Sequence, residues 1–523
     1  MAKIVTADEA VRQIPDGATV LVVPMPSEEV YPAFHRVFEA TGSPKDLTVV
    51  WAAGLGPFSA ERKGMNHFAY PGLMRRVIGA HFGLNHAVMK MIALNEVEAY
   101  CLPQGVMCQM YRDLAAGRPG MLSRVGLGTF VDPRLEGGKL NELTRACEDL
   151  VEVVTIDGVE MLYYKTFRCD VGLIRGTTAD PDGNISVEDE GISMENLEGA
   201  MAVKNSGGFV IAQVERLSNT PARPHDVAVP GIFVDYVVVA GSRQTHPHTL
   251  FVEHDPSYTG EVRVDLESGM QPMALGVEKA LCRRAFLELR AGNKINLGVG
   301  IPMGIAQVAH EEGMLNTLIL NTEVGVLGGL PQGGKNFGPS QNPTAFMSQS
   351  AMFDFYDGGG LDAACLGMAE VDREGNVNVS RLGPRIIGAG GFINITQSTQ
   401  KVVFCGEFSA GGADISVENG RLNIRTEGKV VKFVDRVEQI TFSGRIARDS
   451  GQEILFVTER CVFALRPEGL VLVEIAPGID LRKDVLDRMG FAPAVSPELK
   501  TMDARIFSDA PMGTEGCAAK RTV

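Results

Sequence analysis

The chain has 523 residues, 45% of them hydrophobic and 22% charged, which suits two to four folded domains and excludes extended disorder. A formal net charge of −15 excludes a general binder of nucleic acid or anionic membranes, since phosphate recognition needs clustered Lys and Arg; a local basic pocket for one anionic cofactor stays allowed. Nine dispersed cysteines without a CxxC predict reduced thiols in a cytoplasmic protein, and no apolar run nears the roughly 20 residues that cross a bilayer.

The first segment, MAKIVTADEAVRQIPDG, has no apolar h-region, so no signal peptide is expected. Thr6-Ala7-Asp8-Glu9 reads as a capping box that starts a helix running to about Ile14. Pro15-Asp16-Gly17 then turns the chain into a buried strand from Thr19 to Val23. Trp51 and the histidines His67, His81 and His86 read as core or surface residues rather than catalytic ones. The second half opens in the same way. A helix is predicted from Val277 to Arg290, a turn at Ala291-Gly292, a strand from Lys294 to Gly300 and a helix from Ile305 to Glu312.

Residues 171–187, VGLIRGTTADPDGNISV, can be laid against 363–379, AACLGMAEVDREGNVNV, and GGFVIAQVE (207–215) against KVVFCGEF (401–408). The chain therefore reads as two duplicated open α/β domains with mainly parallel sheets, 1–270 and 271–523, meeting near 255–275. The interval between the opening strand and its echo is longer in the first half, which predicts an insertion about 55–135. Ligands in such sheets bind beyond the carboxyl ends of the strands.

One such end is Leu318-Ile319-Leu320-Asn321-Thr322-Glu323, followed by a glycine-rich turn. Spacing alone leaves Glu323 either a solvated acid or a carboxylate nucleophile in a partly desolvated cleft. Further glycine clusters occur at Gly298–Gly304, Gly358–Gly360 and Gly388–Gly391, where backbone N–H groups can face an anion or an oxyanion. There is no GxSxG elbow, HExxH, Walker A loop or metal-ligand spacing among the nine histidines.

NTEVGVLGG (321–329), FDFYDGGGLD (353–362), EGNVNVSRLG (374–383) and GAGGFINITQS (388–398) resemble the family I CoA-transferases, nearest to single-chain bacterial acetate and propionate CoA-transferases. The N-terminal half agrees in GMNHFAYPGL (64–73) and YCLPQGVMCQMYRDLAAGRPG (100–120), so the resemblance spans the chain. It implies two fused open α/β CoA-transferase domains and Glu323 as the nucleophile that becomes a glutamyl-CoA thioester. It further implies Gly390, Gly391 and Gly54 at the oxyanion, and Gln104 orienting substrate. CoA would contact Gly298, Val299, Gly300, Ile301 and Pro302, together with Asn378 and Gly388. Coenzyme A is then a co-substrate rather than a tightly bound cofactor, no metal is needed, and the partners are acyl-CoA, a carboxylate and further copies in a homo-oligomer.

The sequence departs from its family after the first strand, where Val22-Val23-Pro24-Met25-Pro26-Ser27 replaces the usual glycine-rich turn and removes N–H donors; this turn is expected to border the acyl pocket. Two other readings fit the same scaffold. An acyl-CoA hydrolase would release free CoA without an acceptor acid, and a non-catalytic sensing module would bind acyl-CoA without turnover.

Overall fold

A computed structural model describes residues 2–513; Cys517 lies outside the described residues. The Thr6 capping box forms, with Glu9 N–H donating to Thr6 Oγ1 at 3.2 Å and Thr6 N–H to Glu9 Oε2 at 2.9 Å. The helix it starts, Ala7–Val11, stops short of Ile14.

Eight parallel strands make the first sheet: β1 (Lys3–Ile4), β2 (Thr19–Val22), β3 (Leu47–Trp51), β4 (Met74–Gly79), β5 (Glu98–Cys101), β6 (Val171–Ala179), β7 (Phe209–Leu217) and β8 (Tyr236–Val239). Their order is β1-β8-β7-β6-β2-β3-β4-β5, with Ile185–Ser186 hung antiparallel on β6. The second sheet is built on β9 (Lys294–Leu297), β10 (Ile319–Thr322), β11 (Ala363–Gly367), β12 (Lys401–Cys405) and β13 (Glu453–Val457). These five are parallel in the order β10-β9-β11-β12-β13, and antiparallel strands extend the sheet at both edges. The runs of Val, Ile and Ala in β2, β3, β11 and β12 are buried on both faces, as parallel strands covered on both sides require.

The duplication is visible in register and in hydrogen bonds. The order β3-β2-β6-β7-β8 repeats as β10-β9-β11-β12-β13. Val20 pairs with Val171 as Ile295 pairs with Ala363. The Gly-Asn turns superpose bond for bond. Asp180 accepts from the N–H of Asp182 and Asn184 and from Asn184 Nδ2, while Asp372 accepts from the N–H of Glu374 and Asn376 and from Asn376 Nδ2, all at 2.9–3.0 Å. A short polar side chain that closes its own loop is a local device, so it survives where the rest of two copies diverges.

Between β3 and β6 the first half carries β4, β5, the helices His86–Ala93 and Gln104–Ala115, and a three-stranded antiparallel sheet that ends at Lys165. The hairpin Val151–Ile156 with Val159–Lys165 carries exposed charges at Glu152 and Glu160. Helix Gln104–Ala115 lies against helix Gln349–Asp357 of the other half. Gly105 N–H donates to Asn394 Oδ1 at 3.1 Å across the same junction. Among the described residues no helix is long and apolar enough to cross a membrane.

Candidate active site

Where the two halves meet lies a cavity of about 310 Å³. Glu323, the first residue after β10, faces into it from the second half. The turn that follows needs glycine: Gly325 has φ +96°, and a Cβ there would stand 2.0 Å from the Met347 carbonyl oxygen. Beneath the carboxylate, neighbouring strands carry two buried amides, Asn296 on β9 and Asn321 on β10. The Tyr356 hydroxyl donates to Asn321 Oδ1. Burial raises the Glu323 pKa above the ordinary glutamate value, opposed by its own backbone N–H and by the Asn296 amide. The carboxylate is thus desolvated without a cation beside it, which keeps it basic and reactive once ionised.

The loop Gly388–Gly391 closes over Glu323 and is pinned to the first half. Gly390 N–H donates to the Ala80 carbonyl at 2.7 Å, and the Gly390 carbonyl accepts from Gln104 N–H at 3.1 Å. Gly390 therefore orders the loop with its own N–H spent. The N–H of the next residue, Gly391, has no partner among the described residues, and a Cβ on Gly391 would come within 3.5 Å of Glu323 Cγ. The Gly391 N–H is open to a group bound in the cavity.

Gln104, at the start of its helix, is 3% exposed and lines the cavity, and its Nε2 has no hydrogen-bond partner. A buried amide left unsatisfied is costly unless a ligand completes it. Gly54 also lines the cavity, its carbonyl held by Asn85 Nδ2 at 2.9 Å. Gly298, Val299 and Gly388 belong to the wall. Gly300, Ile301 and Pro302 continue the same turn outside the lining. Asn378 stands apart from the cavity. Its Nδ2 donates to Glu370 Oε2 and the Arg381 carbonyl, and its Oδ1 accepts from the N–H of Ser380 and Arg381, so the side chain is fully occupied in a turn. The adjacent Val379 faces the cavity instead.

The Pro24-Met25-Pro26 turn does not reach this cavity, against expectation. Met25 is 1% exposed, its carbonyl accepts from the Tyr31 hydroxyl at 2.8 Å, and its sulfur meets Asn196 Nδ2 at 3.5 Å. Strand register explains the difference. With Val20 equivalent to Ile295, Leu21 takes the place of Asn296, Met25 that of Gly300 and Ala52 that of Glu323. The turn fills the duplicate of the site in the first half, where no carboxylate follows the strand.

His81, read from sequence as a core or surface residue, and Asn296, not singled out there, both line the cavity. Both lie at or just beyond the carboxyl ends of parallel strands, the signal that could have found them. Burial lowers the His81 pKa to about 4, so its imidazole is neutral near pH 7.

The duplicated α/β chain thus brings together at one cavity a desolvated carboxylate, an open backbone N–H and, among the described residues, no lysine or arginine in the lining. A family model described as Coenzyme A transferase matches residues 4–240. The chain is 47% identical to caffeate CoA-transferase of Acetobacterium woodii, over 97% of this chain and 98% of that one. It is 41% identical to acetate CoA-transferase YdiF of Escherichia coli K12, over 98% and 96%. The acyl-CoA transferase YdiF of E. coli O157:H7, solved as a thioester complex with CoA, superposes with a TM-score of 0.91 at 39% identity, covering 98% of this chain and 97% of that one. The chain belongs to the family I CoA-transferases and is an enzyme that transfers CoA.

Proposed function

We propose that the chain moves CoA from a short-chain acyl-CoA to a carboxylic acid through a glutamyl-CoA thioester on Glu323. The Glu323 carboxylate attacks the acyl-CoA carbonyl, the C–S bond breaks, and a mixed anhydride and CoA thiolate result. The thiolate then attacks the glutamyl carbonyl, the anhydride C–O bond breaks, and the first acid leaves as a carboxylate. The acceptor acid reverses these steps. Thioester and carboxylate are exchanged for thioester and carboxylate, so neither ATP nor a metal is required.

The observation that carries this reading is the desolvated Glu323 beside the unpartnered Gly391 N–H at the floor of the cavity. One such donor contributes on the order of 10²–10³ in rate. The free Gln104 amide supplies a second contact for the substrate oxygens. Apolar walls such as Leu297, Val324 and Phe392 keep water from the anhydride, which favours transfer over hydrolysis. The caffeate and acetate activities in the names of the relatives support a carboxylate acceptor. We also propose a cytoplasmic homo-oligomer; the eight described cysteines, all free thiols and seven of them buried, support a reducing compartment.

The test is exchange of labelled acetate into acetyl-CoA without a second acid. Exchange should follow ping-pong kinetics and vanish in a folded Glu323→Ala variant. Full exchange in that variant, or free CoA release that outpaces exchange, would defeat the proposal.

A further inference from the structure

The cavity lining differs between residues. At Gly298, Val299 and Gly367 of the second half it is narrow side chain or none, and the chain leads on into a turn in which Val299 is 46% exposed. Such a lining admits a thin, flexible arm. Elsewhere it carries bulky apolar side chains: Leu55, Phe58 and Leu84 of the first half, with Phe337 and Ile387 of the second.

Leu55, Phe58, Leu84 and Phe337 also form one wall of a smaller hollow of about 20 Å³ behind them, bounded by Pro26 and Ile192. The apolar wall is therefore one side chain thick, with slack at its back. No Lys or Arg lines the main cavity, and the titratable groups facing it are Glu323 and the neutral His81. Lys335 lines only the hollow behind and sits over the Phe251 ring.

Resting on the Glu323 reading, we infer that the acid exchanged here is an apolar monocarboxylate longer than propionate, its carboxyl at Glu323 and its hydrocarbon body against Leu55, Phe58, Leu84 and Phe337. At about 30 Å³ per water, the cavity spans on the order of ten water volumes, and the single methyl of acetate covers little of that wall. Each further methylene gains contact with carbon on every side. The second carboxylate of a short dicarboxylate would meet the same wall without a cation or enough donors to replace its water.

The full-length enzyme is charged with acetyl-CoA or butyryl-CoA, and the thioester is discharged with acetate, butyrate, hexanoate, 3-phenylpropenoate or succinate. We expect kcat/KM to rise about fourfold per methylene from acetate to hexanoate. Succinate should fall at least about 100-fold below hexanoate. Leu84→Trp, which fills the wall, should cut the hexanoate-to-acetate ratio about tenfold or more. Phe337→Ala should raise the ratio of 3-phenylpropenoate to acetate. Acetate outpacing hexanoate, succinate matching it, or unchanged ratios in both variants overturns the inference. Failure of either acyl-CoA to leave a thioester overturns the Glu323 reading, and this inference with it.

Discussion

Replacing Gly391 with Ala separates the chemistry of the loop from its stability. Gly391 has φ −78° and ψ −6°, a conformation open to any L-residue, so the backbone gains no strain. The new methyl would stand 3.2 Å from Phe353 Cζ, 3.3 Å from Ile395 Cδ1 and 3.5 Å from Glu323 Cγ. The first two contacts are tight against buried side chains, so they must yield by a few tenths of an ångström, at about 1 kcal/mol. Alanine can adopt this φ/ψ and restricts the unfolded chain, which recovers part of that and leaves a net loss within about 1 kcal/mol. The third distance is ordinary van der Waals contact, so Glu323 stays in place and the methyl takes up space beside its side chain and beside the Gly391 N–H. The methyl instead displaces a bound acyl carbonyl from the N–H, and a misplacement approaching 1 Å at a reacting group costs about 10²-fold, so kcat should fall by up to about that factor in a protein with nearly wild-type melting. Steady-state transfer kinetics beside thermal denaturation measures both quantities. Gly390→Ala is the contrast. Its Cβ has room, with Gln104 Oε1 and His81 Cδ2 at 3.6 Å, but φ is +54°, which costs about 1–2 kcal/mol; it should lose stability more than rate. Wild-type kcat in folded Gly391→Ala would refute the role given to its N–H.

Gln104→Leu should leave stability unchanged or improved, because the lost Nε2 has no partner to abandon, while kcat/KM falls at least about tenfold; melting and kinetics on one preparation test this. Because burial raises the Glu323 pKa, kcat should decline with acid through a midpoint above the ordinary glutamate range, read from a pH–rate profile with stability checked at each pH. Glu195 is fully buried, both carboxylate oxygens lack partners, and burial and then Glu198 push its pKa from 4.5 to about 8. A folded pKa above the unfolded one gives stability that is complete below about 4.5 and lost as pH rises through about 8. Urea midpoints should therefore fall as pH rises from 4.5 to about 8, and Glu195→Gln should flatten that slope.

Much of the fold was legible because its signals are local or periodic. The Thr6 cap, the apolar strands and the Gly-Asn turns with Asp180 and Asp372 each close hydrogen bonds within a few residues. Glu323, Gly391 and Gln104 were readable through motif resemblance, and strand-end position alone would have added Asn296 and His81. What escaped depends on contacts between distant segments. Whether a glycine N–H is free cannot be read along the chain: Gly390 spends its own on Ala80, 310 residues earlier in sequence, and Gly391 does not. The Pro24–Pro26 turn misled for a related reason. It follows the first strand as Gly298–Gly300 follows its counterpart, but the junction uses only one of the two equivalent strand ends, and Met25 seals the other.

The most direct measurement is peptide mass mapping of the enzyme after incubation with acyl-CoA alone, followed by addition of an acceptor acid. The covalent mechanism requires CoA on the peptide containing Glu323, lost again when the acceptor is added. CoA on a cysteine, or turnover with Glu323 never modified, would contradict it.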